Sequence, residues 1–208
     1  MKIGIDIDNT ITTTIPLLKQ FCVIYNHEVV KRNLELHDDG FATYNFFDWT
    51  REEDMDFCKK HLEEVITNVK VKKDAGEVIK KLRREGNYIC IITARKKPQL
   101  NDPYLLTKNY LDKNGIEYDQ LVVGCEDKLS YCIDNCIDIM IDDEPQNITS
   151  ISKKIPVIAL EGIHNIKCKG PNIIKVDDWN EVYEKIQHIK EMNFYSSLSR
   201  ALIYGERG

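Results

Sequence analysis

The stretch Lys2-Ile3-Gly4-Ile5-Asp6-Ile7-Asp8-Asn9-Thr10 decides the fold. Ile3, Ile5 and Ile7 recur at period two, and β-branched residues at that spacing suit a buried strand. An isolated carboxylate loses its hydration on burial unless a cation or metal compensates, so Asp6 and Asp8 belong where the strand ends. In open α/β sheets the carboxyl ends of the strands face the crevice in which ligands bind. With one residue between them, the two carboxylates can face one pocket, one as nucleophile or ligand and the other as proton donor. Asn9 tolerates left-handed torsions and permits a sharp turn. A plain Asp-Asn turn would read the same way, so the rest of the chain must arbitrate.

The 208 residues accommodate one α/β domain or a core with a small insertion. Hydrophobic residues at 42% and charged residues at 30% describe a soluble folded protein. A net charge of −5 argues against a nucleic-acid polymer as partner, because phosphate neutralisation needs a basic stripe. Seven cysteines, an odd number scattered over helices and strands, fit a reduced, cytoplasmic protein. Cys132 and Cys136 share a helix face, but no second pair completes a structural zinc site. The first ten residues do not read as a signal peptide, and no apolar run reaches the ~18 residues of a membrane span.

After the turn, Thr14-Ile15-Pro16 opens a helix whose Leu17, Leu18, Phe21, Cys22 and Tyr25 share a face. Residues 26–39 read as loop. Residues 41–49 carry five aromatics in nine positions, and Thr50 with Glu53 forms a capping-box signature for a second helix. Beyond 72 helix and strand alternate: helices from Asp74, Asp102-Pro103, Asp127 and Pro145 and over 178–192, strands over 88–92, 121–123, 137–141, 156–160 and 173–176. That alternation implies parallel strands joined by right-handed crossovers, a doubly wound α/β sheet. The expected division is a core of residues 1–13 and 73–193, a helical cap of 14–72 inserted after the first strand, and a tail of 194–208 that docks on the core or a partner subunit.

Four strand ends then offer one set of groups: Asp6 and Asp8, Thr93, Lys128, and the pair Asp142-Asp143. Each has an ordinary alternative: Thr93 as a helix cap, Lys128 as a solvated helix residue, Asp142-Asp143 as a cap for the helix at Pro145. Parallel strands bring their carboxyl ends into one crevice, however, and four carboxylates there would repel one another unless a hard cation sits among them. Mg²⁺, with its preference for oxygen ligands and substrate phosphate, answers that need.

These residues resemble the haloacid dehalogenase superfamily of phosphohydrolases. Asp6-Ile7-Asp8-Asn9-Thr10 is similar to its first motif, Asp-x-Asp-x-Thr/Val; Thr93, Lys128 and Asp142-Asp143 match the second, third and fourth. The resemblance spans residues 1 to about 160, with Asn9 in place of a frequent Gly. It implies that Asp6 attacks phosphorus, that Asp8 protonates the leaving oxygen and then activates water, and that Thr93 and neighbouring N–H groups bind phosphoryl oxygens. Lys128 would neutralise nucleophile and phosphate. Asp6, the main-chain carbonyl of Asp8 and Asp142 would hold Mg²⁺, with Asp143 in support.

More narrowly, Ile92-Thr93-Ala94-Arg95, Asp142-Asp143-Glu144-Pro145 and a small aromatic cap resemble the 5'(3')-deoxyribonucleotidase branch. That implies a nucleoside monophosphate as substrate, contacted by Asn9, Thr93, Ala94, Arg95 and Lys128 and by base-stacking rings at Phe46, Phe47 and Trp49. Those rings would equally serve as the cap's own core. Two other readings stay open: a phosphatase for sugars or other small metabolites, and a non-catalytic phospho-acceptor module of the receiver kind. The protein is expected to be a monomer or homodimer.

Overall fold

The computed structural model describes residues 1–205, with side-chain surroundings for residues 1–192. Six parallel strands, β1 (Lys2–Ile5), β2 (Tyr88–Thr93), β3 (Gln120–Val123), β4 (Ile139–Asp142), β5 (Val157–Leu160) and β6 (Ile173–Val176), form one sheet in the order β3-β2-β1-β4-β5-β6. The chain leaves β1 for β2 and β3 on one side and returns to β4 on the other, so the order reverses at β1. Strands β1 and β4 run side by side there, with Ile5 opposite Ile141. Their carboxyl ends therefore flank the crevice that such a reversal creates.

The period-two reading of the first strand holds because its two faces meet different layers. Ile3, Ile5 and Ile7 are fully buried against Val78, Ile79 and Leu82 of α4 (Ala75–Arg84), Leu111 of α5 (Pro103–Lys113), and Val182 and Ile186 of α8 (Trp179–Gly205). The opposite face packs Cys90, Ile92 and Met140 on Cys132 of α6 (Lys128–Asp134) and on Ile148 and Ile151 of α7 (Pro145–Ile151). Gly4 is required there, because a Cβ at this position would lie 2.7 Å from Met140 Sδ.

The helical insertion comprises α1 (Thr14–Tyr25), α2 (Arg51–Phe57), α3 (Glu63–Asn68) and a short 3-10 turn over Thr43–Asn45. Thr50 caps α2 with the expected box: its hydroxyl accepts from Glu53 N at 3.2 Å and Glu53 accepts from Thr50 N at 2.7 Å. The entry and exit of the insertion are stitched together by Thr13 N to Lys70 O (2.9 Å) and Lys72 N to Ile11 O (2.8 Å).

Two expectations need correction. Residues 26–30, read as loop, continue α1 in wider turns that end at a left-handed Lys31, an arrangement that buries Asn26 where its side chain accepts from Trp49 Nε1. The last helix, expected to stop near 192, runs to Gly205. Docking of the tail's side chains lies outside the described residues. Among the described residues no helix is long and apolar enough to cross a membrane.

Candidate active site

Every acidic motif residue sits at the carboxyl edge of the sheet. Asp6 follows β1, and its backbone N–H donates to Ile141 O at 3.0 Å, which pins the end of β1 to β4. Asn9 adopts φ 61°, the left-handed turn expected of it. Its amide also ties the turn together, accepting from Ile15 N (3.0 Å) and donating to Asp143 (3.3 Å). Thr93 ends β2 at 1% exposure. No helix starts behind it, so it is not a helix cap. Lys128 opens α6 behind the capping residue Asp127 and is buried rather than solvated.

Lys128 Nζ donates to Asp6 Oδ1 at 2.6 Å and to Asp142 Oδ2 at 2.8 Å. Burial works against the charge on Lys128, but Asp142 and Asp6 more than offset it and raise its pKa. Burial lifts Asp6 well above the usual carboxylate range; Lys128 opposes this, and Asp142, Asp143 and Asp8 reinforce it. Asp142, fully buried, is raised mainly by desolvation. Oxygens of Asp6, Asp142 and Asp143 lie within 4.8 Å of one another, a hard-oxygen set that could hold a divalent cation.

Asp8 is held differently. Arg95 grips it through two bonds of 2.8 Å, from Nε to Oδ2 and from Nη2 to Oδ1, and Thr14 Oγ1 adds a third at 3.0 Å. Burial alone would raise the Asp8 pKa, but the Arg95 charge and hydrogen bonds pull it below its ordinary value. Asp143 receives Thr10 Oγ1 at 2.9 Å and Asn9 Nδ2 at 3.3 Å, and pairs with His164 Nε2 at 2.9 Å.

These groups line a crevice of about 210 Å³ that contains Asp6, Asp8, Asn9, Thr93, Ala94, Arg95, Lys128 and Asp143. Asp142 lies just beneath it, bonded to Lys128.

Residues 1–192 match the family described as 5' nucleotidase, deoxy (pyrimidine), cytosolic type C protein. The chain belongs to this family. A curated nucleotidase from Clostridium acetobutylicum is 28% identical over 193 residues, covering 92% of this chain and 96% of that protein. Among solved structures, a predicted phosphatase from the same species superposes with a TM-score of 0.65 at 17% identity, over 90% of this chain and 98% of the other. A haloacid dehalogenase-superfamily hydrolase from Geobacter sulfurreducens superposes with a TM-score of 0.60 at 13% identity, over 88% and 98%. At these identities the two structures attest the shared fold. The protein is a phosphatase of the nucleotidase kind on the haloacid dehalogenase fold. Hydrolases of this superfamily use a divalent metal, and the Asp6, Asp142 and Asp143 carboxylates could hold one.

Membership in this nucleotidase family does not assign its aromatic rings, and here the structure corrects the expectation. Phe46, Phe47 and Trp49 do not line the crevice. Phe46 and Phe47 are buried among Leu18, Cys22, Phe57 and Val65, and Trp49 stacks on Phe47 with centroids 5.7 Å apart. So small an insertion needs a core of its own, and its largest rings fill it. The rings that do reach the crevice are Phe41 and Tyr44. Sequence reading also missed Thr14, Glu144 and His164. His164 stands four residues past the end of β5, at the same sheet edge as the other motifs, and that position was the available signal.

Proposed function

We propose that the protein is a Mg²⁺-dependent phosphomonoesterase that hydrolyses nucleoside monophosphates through a phosphorylated Asp6. The observation that carries this reading is Lys128 bridging Asp6 and Asp142 in a buried crevice, next to a second carboxylate, Asp8, held by Arg95. Asp6 is the nucleophile. Its oxygen bonds to phosphorus as the ester oxygen departs, and Asp8 gives that oxygen a proton. Asp8 then takes a proton from water, whose oxygen bonds to phosphorus and breaks the Asp6–phosphoryl bond, releasing inorganic phosphate. Splitting one displacement into two lowers each barrier.

The ion pair with Arg95 suits Asp8 to the second role, in which it must begin ionised. The first role calls for a protonated carboxyl, which follows if Arg95 turns toward the incoming phosphoryl oxygens and releases Asp8. Thr93 and the backbone N–H groups beside it bind the same oxygens, and Lys128 balances the charge on nucleophile and phosphate. Asp6, the Asp8 main-chain carbonyl and Asp142 would hold Mg²⁺, which when bound supplies Lewis-acid stabilisation to the phosphoryl group. Asp143, fixed by Asn9, Thr10 and His164, supports that set. The helical insertion acts as a cap that excludes water and meets the leaving group.

A phosphate-release assay with Mg²⁺ across deoxyribonucleotides, ribonucleotides and sugar phosphates tests this reading. Nucleoside monophosphates are expected to turn over best, chelation to stop the reaction, and Asp6→Asn to lower kcat by at least about a thousandfold, on the order of 4 kcal/mol. An Asp6→Asn variant with wild-type rate would remove the nucleophile.

A further inference from the structure

Past β5 the chain enters a loop, residues 161–168, whose shape depends on one buried amide. Asn165, 1% exposed, donates from Nδ2 to Asp143 O at 2.7 Å and to Leu160 O at 2.8 Å, and its Oδ1 accepts from Gly162 N at 3.0 Å. The loop is thereby tied to the carboxyl ends of both β4 and β5. His164, one residue earlier, is held against the Asp143 side chain: Nε2 lies 2.9 Å from Oδ2, with the imidazole 8% exposed and the carboxylate 7%. A carboxylate oxygen accepts and cannot donate, so Nε2 carries the proton.

The imidazole meets two further groups. Gly162 leaves room for it, since a Cβ there would lie 2.7 Å from His164 Cε1 and 2.9 Å from Nδ1. The Phe41 ring of the helical insertion packs on it, with centroids 5.5 Å apart and planes inclined by 31°. Phe41 also lines the carboxylate crevice. His164 therefore touches both a carboxylate of the acidic cluster and a wall of the crevice that the insertion supplies. Asp143 itself stands between two spaces, the crevice and a second cavity of about 230 Å³ that also contains Lys72 and His164. Burial disfavours the Lys72 charge and Asp143 opposes that effect, so a cation attracts the carboxylate from the side away from the crevice. Of the three side chains bonded to the Asp143 oxygens, Asn9 and Thr10 come from the first turn, and His164 alone comes from another part of the chain.

We infer that His164 is a positioning residue with two separable contacts: its Nε2–H holds Asp143 toward the place where a divalent cation would bind, and its ring seats Phe41, and with it the insertion's loop, beside the crevice. The inference rests on the metal-dependent phosphatase reading and deepens it. A carboxylate that is free to turn must be fixed when a cation arrives, which weakens binding. Hydrogen bonds that orient a ligand set from outside it typically contribute about tenfold to a hundredfold in metal affinity.

The test titrates Mg²⁺ into the full chain, without substrate, by isothermal titration calorimetry and compares wild type with His164→Gln and His164→Phe. Glutamine offers an amide N–H donor but no ring; phenylalanine keeps a ring but has no donor. The Kd for Mg²⁺ is expected to rise about tenfold or more in His164→Phe and to stay within about threefold of wild type in His164→Gln. Hydrogen exchange reads the second contact. The Phe41 amide, which donates to Asn45 Oδ1 at 2.9 Å, is expected to exchange faster in His164→Gln and at the wild-type rate in His164→Phe.

A His164→Phe variant that binds Mg²⁺ as tightly as wild type, or a His164→Gln variant that loses as much affinity as His164→Phe, overturns the hydrogen-bond role. Phe41 exchange that is the same in wild type and both variants overturns the role of the ring. Each of these results leaves the phosphatase reading intact, whereas wild-type protein that binds no Mg²⁺ overturns both. If neither variant folds, the imidazole is structural and the inference is overturned.

Discussion

Asp8 and Asp6 stand two residues apart, yet their surroundings drive their acidities in opposite directions. Both are drawn upward by loss of solvent, but Asp8 has Arg95 to itself while Asp6 shares Lys128 with Asp142. Arg95 thus favours an ionised Asp8, whereas Asp6 depends on Lys128, and on any cation held beside it, for the ionised form that a nucleophile needs. Arg95 is the group that holds Asp8 low. In Arg95→Gln the largest influence opposing burial is gone, and the Asp8 carboxyl is expected to titrate higher than in wild type. Carboxyl ¹³C NMR titration of wild type and variant measures this; an unmoved titration would assign the depression to Thr14 or Lys128 instead. At the same scale, His164 contacts Asp143, whose oxygens also accept from Asn9 and Thr10.

The aromatic residues of the helical insertion divide between its own core and the wall of the crevice. Phe46 is fully buried in the insertion's core, whereas Tyr44, two residues earlier, is 59% exposed at the crevice. Tyr44 lies within the 3-10 turn over Thr43–Asn45 and Phe46 directly follows it. Phe46→Ala is therefore expected to cost about 3 to 5 kcal/mol of stability, measured by urea denaturation. Phe41→Ala and Tyr44→Ala are expected to leave the denaturation midpoint near wild type and to raise KM for a nucleotide by several-fold. A Tyr44→Ala variant with unchanged KM would place the leaving group elsewhere.

For the whole molecule the Asp6 and Asp142 carboxyls make stability depend on pH. A carboxyl whose folded pKa lies above its unfolded value holds its proton more tightly in the folded state, so ionising it costs stability. That cost is absent below about pH 4, where the carboxyls are protonated folded and unfolded alike, and it accumulates as the pH rises through the raised values of Asp6 and Asp142. A divalent cation bound by these groups would offset it. Differential scanning calorimetry is expected to show Mg²⁺ raising the melting temperature more at about pH 7.5 than at about pH 5, with the difference diminished in Asp6→Asn. An equal increment at both pH values would mean that the ion binds outside this cluster.

Strand positions, helix caps and the motif carboxylates were legible in the sequence, because each is a matter of local chemistry. Ile3, Ile5 and Ile7 must alternate to bury one face, Thr50 and Glu53 need only each other, and charged side chains must end a buried strand. The parallel order then followed from the alternation of elements, and with it the convergence of Asp6, Thr93, Lys128 and Asp142 at one edge. Tertiary structure alone decided which of five clustered aromatics face the crevice, that Arg95 pairs with Asp8 across 87 positions, and that His164 meets Asp143 across 21. Those outcomes depend on how two separately packed layers meet, and no periodicity within either segment encodes the distance between them.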